Sequence, residues 1–142
     1  MAEDRYRLGP LRDVRERAEA VGRGNLATKI GDASITAVVV ADAHTRSAAA
    51  RAALDAAIAA ISSKTTAHER VLVDRFIARR RRELAAARDE ELRAELAHER
   101  RQTEVDAARL QLARARADRQ VIERHFERWR DEQKKRADNA AD

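Results

Sequence analysis

Between Val105 and Trp129 the apolar positions fall three and four residues apart. Val105, Ala108, Leu112, Ala115, Ile122, Phe126 and Trp129 keep that spacing, and Arg119 is its one charged member. The pattern predicts a long helix with a single buried stripe, and such a seam needs a partner helix. Upstream, Leu11, Val14, Ala18 and Val21 open a comparable stripe, and Leu54, Ile58 and Ile61 close one. The phase slips between Ile30 and Val40. That stretch reads as continuous helix or as a short strand over 35–40, and a lone strand would have nothing to pair with.

The punctuation fixes where these helices begin and end. Gly9, Pro10, Gly22, Gly24 and Gly31 are all the glycines and prolines in the chain, so no strong breaker follows residue 31. Pro10 suits the first turn of a helix, where its missing N–H has no intrahelical partner. The run Ser62-Ser63-Lys64-Thr65-Thr66 is the one plausible turn after that. Thr66 with Glu69 three residues on forms a capping box, hydroxyl and carboxylate each taking an orphan backbone N–H.

The expected fold is therefore all-α, a long antiparallel two-helix coiled-coil hairpin forming one domain over 1–142. Helix 1 is expected over about 10–61, the turn over about 62–66 and helix 2 over about 67–137. A short turn makes the two helices antiparallel neighbours. At 1.5 Å per residue they run roughly 75–80 Å and roughly 105 Å. The Ala-rich stretch from Ala48 to Ala60 favours close axes. Folding about Lys64 sets Leu11 against Ala117 and Tyr6 against Ile122. Phe126 and Trp129 then lie on an overhang beyond the folded-back N terminus.

Composition agrees. Of 142 residues, 39% are charged and only 3% aromatic, too few large rings for a globular core with a closed pocket. The 30 basic and 25 acidic side chains leave a net charge of +5, but both signs are interspersed as on solvated helix faces. With no Cys, disulfides and thiolate metal sites are excluded. The opening Met-Ala-Glu-Asp-Arg-Tyr-Arg lacks the apolar run of a signal peptide. The longest apolar stretch, Ala37 to Ala41, is far below the ~20 residues of a membrane span. The expectation is a soluble protein without membrane insertion.

No catalytic constellation is present, and neither a cofactor nor a metal site is expected. Gly22-Arg-Gly24 lacks the third glycine and preceding strand of a dinucleotide fingerprint, and no phosphate-binding loop motif occurs. His44, His68, His98 and His125 stand singly, without the second His at zincin spacing, and read as surface helix residues. Arg79, Arg80, Arg81 and Arg82 form the sharpest charge feature. Four consecutive residues point around a helix rather than along one face, with Asp74, Glu83, Asp89, Glu90 and Glu91 nearby. A solvated face, an acidic partner surface and phosphate binding are the three readings of that run. Phe126 and Trp129 have two: seam residues packed on Tyr6 and Leu8, or uncovered anchors for a partner, since Trp is enriched at binding hot spots.

The opening Arg5-Tyr6-Arg7-Leu8-Gly9-Pro10-Leu11 and the charged residues after it resemble the start of the FliJ/YscO family, whose members begin Arg-aromatic-x-Leu-x-Pro-Leu. Glu127-Arg128-Trp129-Arg130-Asp131-Glu132-Gln133 is similar to the C-terminal segment of its secretion-system members. The resemblance covers about fifteen residues at each end, and the middle is generic coiled coil. It implies a cytoplasmic stalk at the membrane-associated base of a flagellar or virulence type III secretion apparatus. Such a stalk inserts into a hexameric export ATPase, stimulates it and links it to an export-gate component, and in some systems contacts secretion chaperones. Tyr6, Leu8, Pro10 and Leu11 carry over as the N-terminal signature, and Trp129 and Gln133 as C-terminal counterparts. The glycines at 22, 24 and 31 depart from the pattern and put a continuous first helix in question. Two other classes compete: a helical binding module or chaperone, and a basic coiled coil reading phosphates through Arg79–Arg82, Arg100 and Arg101, although nucleic acid is not the expected partner.

Overall fold

A computed structural model describes residues 5–141; residues 1–4 and 142 of the expected domain lie outside the described residues. Two helices account for nearly all of it. Helix α1 spans Gly9–Ala59 and α2 spans Ala67–Ala141, with no strand among the described residues. The fold is the expected all-α hairpin, and Ile35–Val40 lies inside α1 as helix. Gly22, Gly24 and Gly31 are also within α1, none with a positive φ. No helix is long and apolar enough to cross a membrane among the described residues.

The ends form for local reasons. The amide N–H of Gly9 donates to the Tyr6 carbonyl at 3.2 Å and that of Arg12 to the Leu8 carbonyl at 2.9 Å, closing the turn in which Pro10 sits. At α2 the capping box is reciprocal. The Glu69 N–H donates to Thr66 Oγ1 at 3.3 Å, and the Thr66 N–H to Glu69 Oε2 at 3.0 Å.

The chain forms two compact units. One pairs the segment up to Ile30 with the chain from Glu104 onward; the other is Gly31–Thr103, which contains the turn. In the first unit, the inward positions of α2 are Val105, Ala108, Leu112, Ala115, Arg119, Ile122, Phe126, Trp129 and Gln133, all buried or half-buried. This is the expected seam, extended by one member. In the Gly31–Thr103 unit, Leu54, Ile77 and Leu84 form the core, with Ala50, Ala57 and Val73 packed against it.

The inward face of α1 differs from the expectation. Its half-buried and buried positions are Leu8, Arg12, Arg15, Glu19, Gly22, Leu26 and Lys29, again alternating four and three apart. The expected stripe lies one residue out of phase and faces away: Leu11 is 36% exposed, Val14 54% and Val21 70%. Long charged side chains hold the inner positions because α2 offers each an opposite charge, described below. In the other unit Leu54 is buried, whereas Ile58 and Ile61 are exposed. Seam spacing from Leu54 leads to Ala57, and α1 stops at Ala59 before another seam position arrives.

Register is the second correction. Arg15 meets Asp118, Gly22 meets Leu112 and Tyr6 meets His125. Each partner lies several residues further along α2 than folding about Lys64 would set it. Around the turn the offset has the same sense, since Leu54 packs with both Ile77 and Leu84. The cause is the non-helical segment between Ala59 and Ala67. Non-helical residues advance by up to about 3.3 Å each against 1.5 Å in a helix, so α2 starts beyond the end of α1.

Candidate interaction sites

The offset brings together the two terminal segments of the chain. Tyr6 is buried, and its ring lies 5.0 Å from that of Phe126, edge-on, and 5.2 Å from that of Trp129, centroid to centroid. Phe126 and Trp129 stack at 5.8 Å. The Tyr6 hydroxyl is 2.9 Å from His125 Nδ1, and the Arg12 guanidinium lies 4.1 Å from the centre of the Phe126 ring. These rings lie near their optimal 4.5–7 Å separations. Phe126 and Trp129 are thus covered by their own N-terminal segment, which corrects the overhang. The residues of α2 beyond them, from Arg130, are mostly polar and exposed. Leu8 and Gln133 are half-buried at inward positions, and Leu11 belongs to the exposed stripe.

Next to the aromatic cluster, the inner face is ionic. Arg12 grips Glu123 with two hydrogen bonds, Nε to Oε1 at 2.8 Å and Nη2 to Oε2 at 3.2 Å. Arg15 reaches Asp118 at 3.0 Å. Glu19, only 6% exposed, accepts from Arg119 Nη1 at 2.9 Å and from Arg23 at 3.3 Å, with Arg116 at 3.8 Å. The hydrogen bond from Arg119 holds the Glu19 carboxyl below its usual range, and Arg12 does the same to Glu123. In return, Glu19 raises Arg119 and Glu123 raises Arg12. Glu19, Arg116, Arg119, Gln120 and Glu123 line a shallow polar groove here.

In the Gly31–Thr103 unit the arginine run divides around α2. Arg79, Arg81 and Arg82 are exposed, and Arg80 is half-buried on the inner face. Arg80 pairs with Glu83 at 2.8 Å. The exposed ring of Phe76 carries Arg80 at 4.9 Å and Arg79 at 5.3 Å, both within cation–π range. Arg81 and Arg88 line an open groove with Arg51 and Ile58. The four arginines therefore do not form one patch.

His44, His68 and His125 are exposed, as the surface reading expects, and His98 is half-buried; three of the four also have a polar partner across the hairpin. His125 meets Tyr6, His98 Nδ1 lies 2.8 Å from Thr36 Oγ1, and His44 Nε2 lies between Glu91 and Glu95 at 3.3 and 2.8 Å. Each partner lies on the other side of the hairpin, 47 to 119 positions away in the chain, so spacing along the sequence holds no sign of it. The ionic pairs did leave a trace. Arg12, Arg15 and Glu19 repeat with the same three-four spacing as the seam they face, a polar stripe easily passed over beside the apolar one. No known protein-family model, curated protein or solved structure matches this chain.

Proposed function

We propose that the chain is a non-enzymatic stalk subunit of a flagellar or type III secretion export ATPase. In this reading it enters the hexameric ring, stimulates the ATPase and links it to the export gate from the cytoplasmic side of the membrane-associated base, with secretion chaperones as further partners. One observation carries most of the weight. The two short segments that resemble the FliJ/YscO family lie more than a hundred residues apart in sequence, yet Tyr6 of the first packs on Trp129 of the second and on Phe126 just before it. Signature residues that meet in one cluster are what a shared structural role requires. The hairpin of two long helices supports the same reading, because a stalk in a pore needs a paired helical body with a charged exterior.

The test is to add the purified chain to a type III export ATPase from the same organism. ATP turnover should rise, while the chain alone turns over nothing. An unchanged rate with every export ATPase of that organism would overturn the stalk reading.

A second reading rests on a different feature. Leu11, Val14, Ala18 and Val21 lie on one exposed face of α1 with helical spacing, as expected of a module that docks a partner helix. That reading predicts binding to helical segments of secretion components without any effect on ATP turnover.

A further inference from the structure

We propose that His44, Glu91 and Glu95 form a site for a divalent transition-metal ion of the zinc class, joining α1 to α2 within the Gly31–Thr103 unit. Glu91 and Glu95 are one helical turn apart, so their carboxylates share a face of α2. His44 comes from α1 opposite. Its Nε2 is 2.8 Å from Glu95 Oε1 and 3.3 Å from Glu91 Oε1, and the three donor atoms lie within 4.8 Å of one another. Zinc binds imidazole nitrogen and carboxylate oxygen at about 2.0–2.2 Å in a tetrahedral arrangement, which sets neighbouring donors about 3.4 Å apart. The 3.3 Å between His44 Nε2 and Glu91 Oε1 already matches that spacing, and the 2.8 Å to Glu95 Oε1 is somewhat shorter.

Charge supplies the second argument. Among the described residues, five other carboxylates that reach across the hairpin meet an arginine or lysine: Glu123 meets Arg12, Asp118 meets Arg15, Glu19 meets Arg119, Glu104 meets Lys29 and Glu90 meets Arg46. Glu91 and Glu95 meet an imidazole instead. Even a protonated imidazole carries one positive charge against two negative ones, and a neutral imidazole carries none. A divalent cation balances the pair. The nitrogen donor selects first-row transition ions over magnesium and calcium, and the two carboxylates suit a borderline ion such as zinc. Three protein donors leave a position for water. Half-exposure of His44 and Glu95 gives the ion a way in. Because the donors come from both helices, binding favours the folded hairpin over the unfolded chain.

The experiment titrates Zn²⁺ into the full-length, tag-free chain against a chromophoric competitor and follows thermal melting in parallel. The expected result is one Zn²⁺ per chain with a raised melting temperature. His44→Ala should weaken binding at least about tenfold, the loss typical of even an outer partner of a metal ligand, and remove the rise in melting. The double variant Glu91→Gln/Glu95→Gln should do the same with helicity intact, and excess Mg²⁺ should not displace the zinc. No saturable binding at one ion per chain would overturn the site. So would helical variants of both kinds that bind within about twofold of the parent, since the ion would then sit on other residues. Displacement by Mg²⁺ at matched concentration would overturn the zinc class.

Discussion

Gly22 lies directly against Leu112: a Cβ added at Gly22 would stand 3.4 Å from Leu112 Cδ1 and 3.6 Å from Leu112 Cα. The backbones of α1 and α2 approach closely there, and the missing side chain makes the space for Leu112, one of the most buried residues. Gly24 and Gly31 have nothing within 4 Å.

Those three glycines should therefore respond differently to substitution. Gly24→Ala and Gly31→Ala should each stabilise by about 0.5–1 kcal/mol, the helix-propensity gain of alanine over glycine. Gly22→Ala should gain no more than that, since its Cβ only touches Leu112. Gly22→Leu should overfill the seam and lose about 1–3 kcal/mol. Urea unfolding of the four variants measures the series; a Gly22→Leu protein as stable as the parent would contradict the close approach.

The aromatic cluster makes a spectroscopic prediction. Trp129 is the only tryptophan and is half-buried against Tyr6. Its emission should be blue-shifted and partly shielded from acrylamide in the isolated protein. Tyr6→Ala should red-shift it and raise the quenching constant. Trp129→Ala should cost about 2 kcal/mol, below the 3–5 kcal/mol of a fully buried ring. A red-shifted, fully quenchable parent protein would contradict the packing.

The ionic face predicts sensitivity to acid. Glu19 and Glu123 have folded-state pKa values lowered below 4.5 by Arg119 and Arg12. A depressed carboxyl binds fewer protons when folded than when unfolded, so its contribution is fully present above about pH 4.5 and is lost as pH falls through the lower folded value. The melting temperature should decline below pH 4.5. Glu19→Gln should start lower at pH 7 and show a shallower decline. Parallel curves for the two proteins would remove Glu19 from the account.

The turn gives a local test. Thr66→Ala should cost about 1 kcal/mol, the usual loss at an N-cap. Adding Glu69→Ala to it should cost less than the two single losses combined, because the two side chains cap the same end reciprocally. Additive losses in the double-mutant cycle would show the two bonds to be independent.

How much of this was legible depended on which side chains faced inward. The α2 seam was readable because its inner positions are apolar from Val105 to Leu112 and again from Ile122 to Trp129. On α1 the inner positions Arg12, Arg15, Glu19, Gly22 and Lys29 are charged or lack a side chain and only Leu26 between them is apolar, so apolar spacing points to Leu11, Val14 and Val21 on the wrong face. The capping box at Thr66 was legible because it is local. The meeting of Tyr6 with Trp129 was not, because it depends on how far the turn segment advances before α2 begins. The contacts of His44 were hidden for a plainer reason: they exist only once two distant helices lie side by side.

The charged inner face of the terminal unit has a mechanical consequence. Slide α2 by one seven-residue repeat and Arg12 meets Arg116 or Arg130 in place of Glu123, while Lys29 meets Gln111 or Ala97 in place of Glu104. An apolar seam would tolerate that slip, since one leucine serves much like another. Here Arg12 and Lys29 find an opposite charge in one register and lose it a repeat away on either side, as the teeth of a key fit a single lock. Tension or torque applied to one strand of this unit is passed to the other at fixed heights instead of being dissipated by sliding.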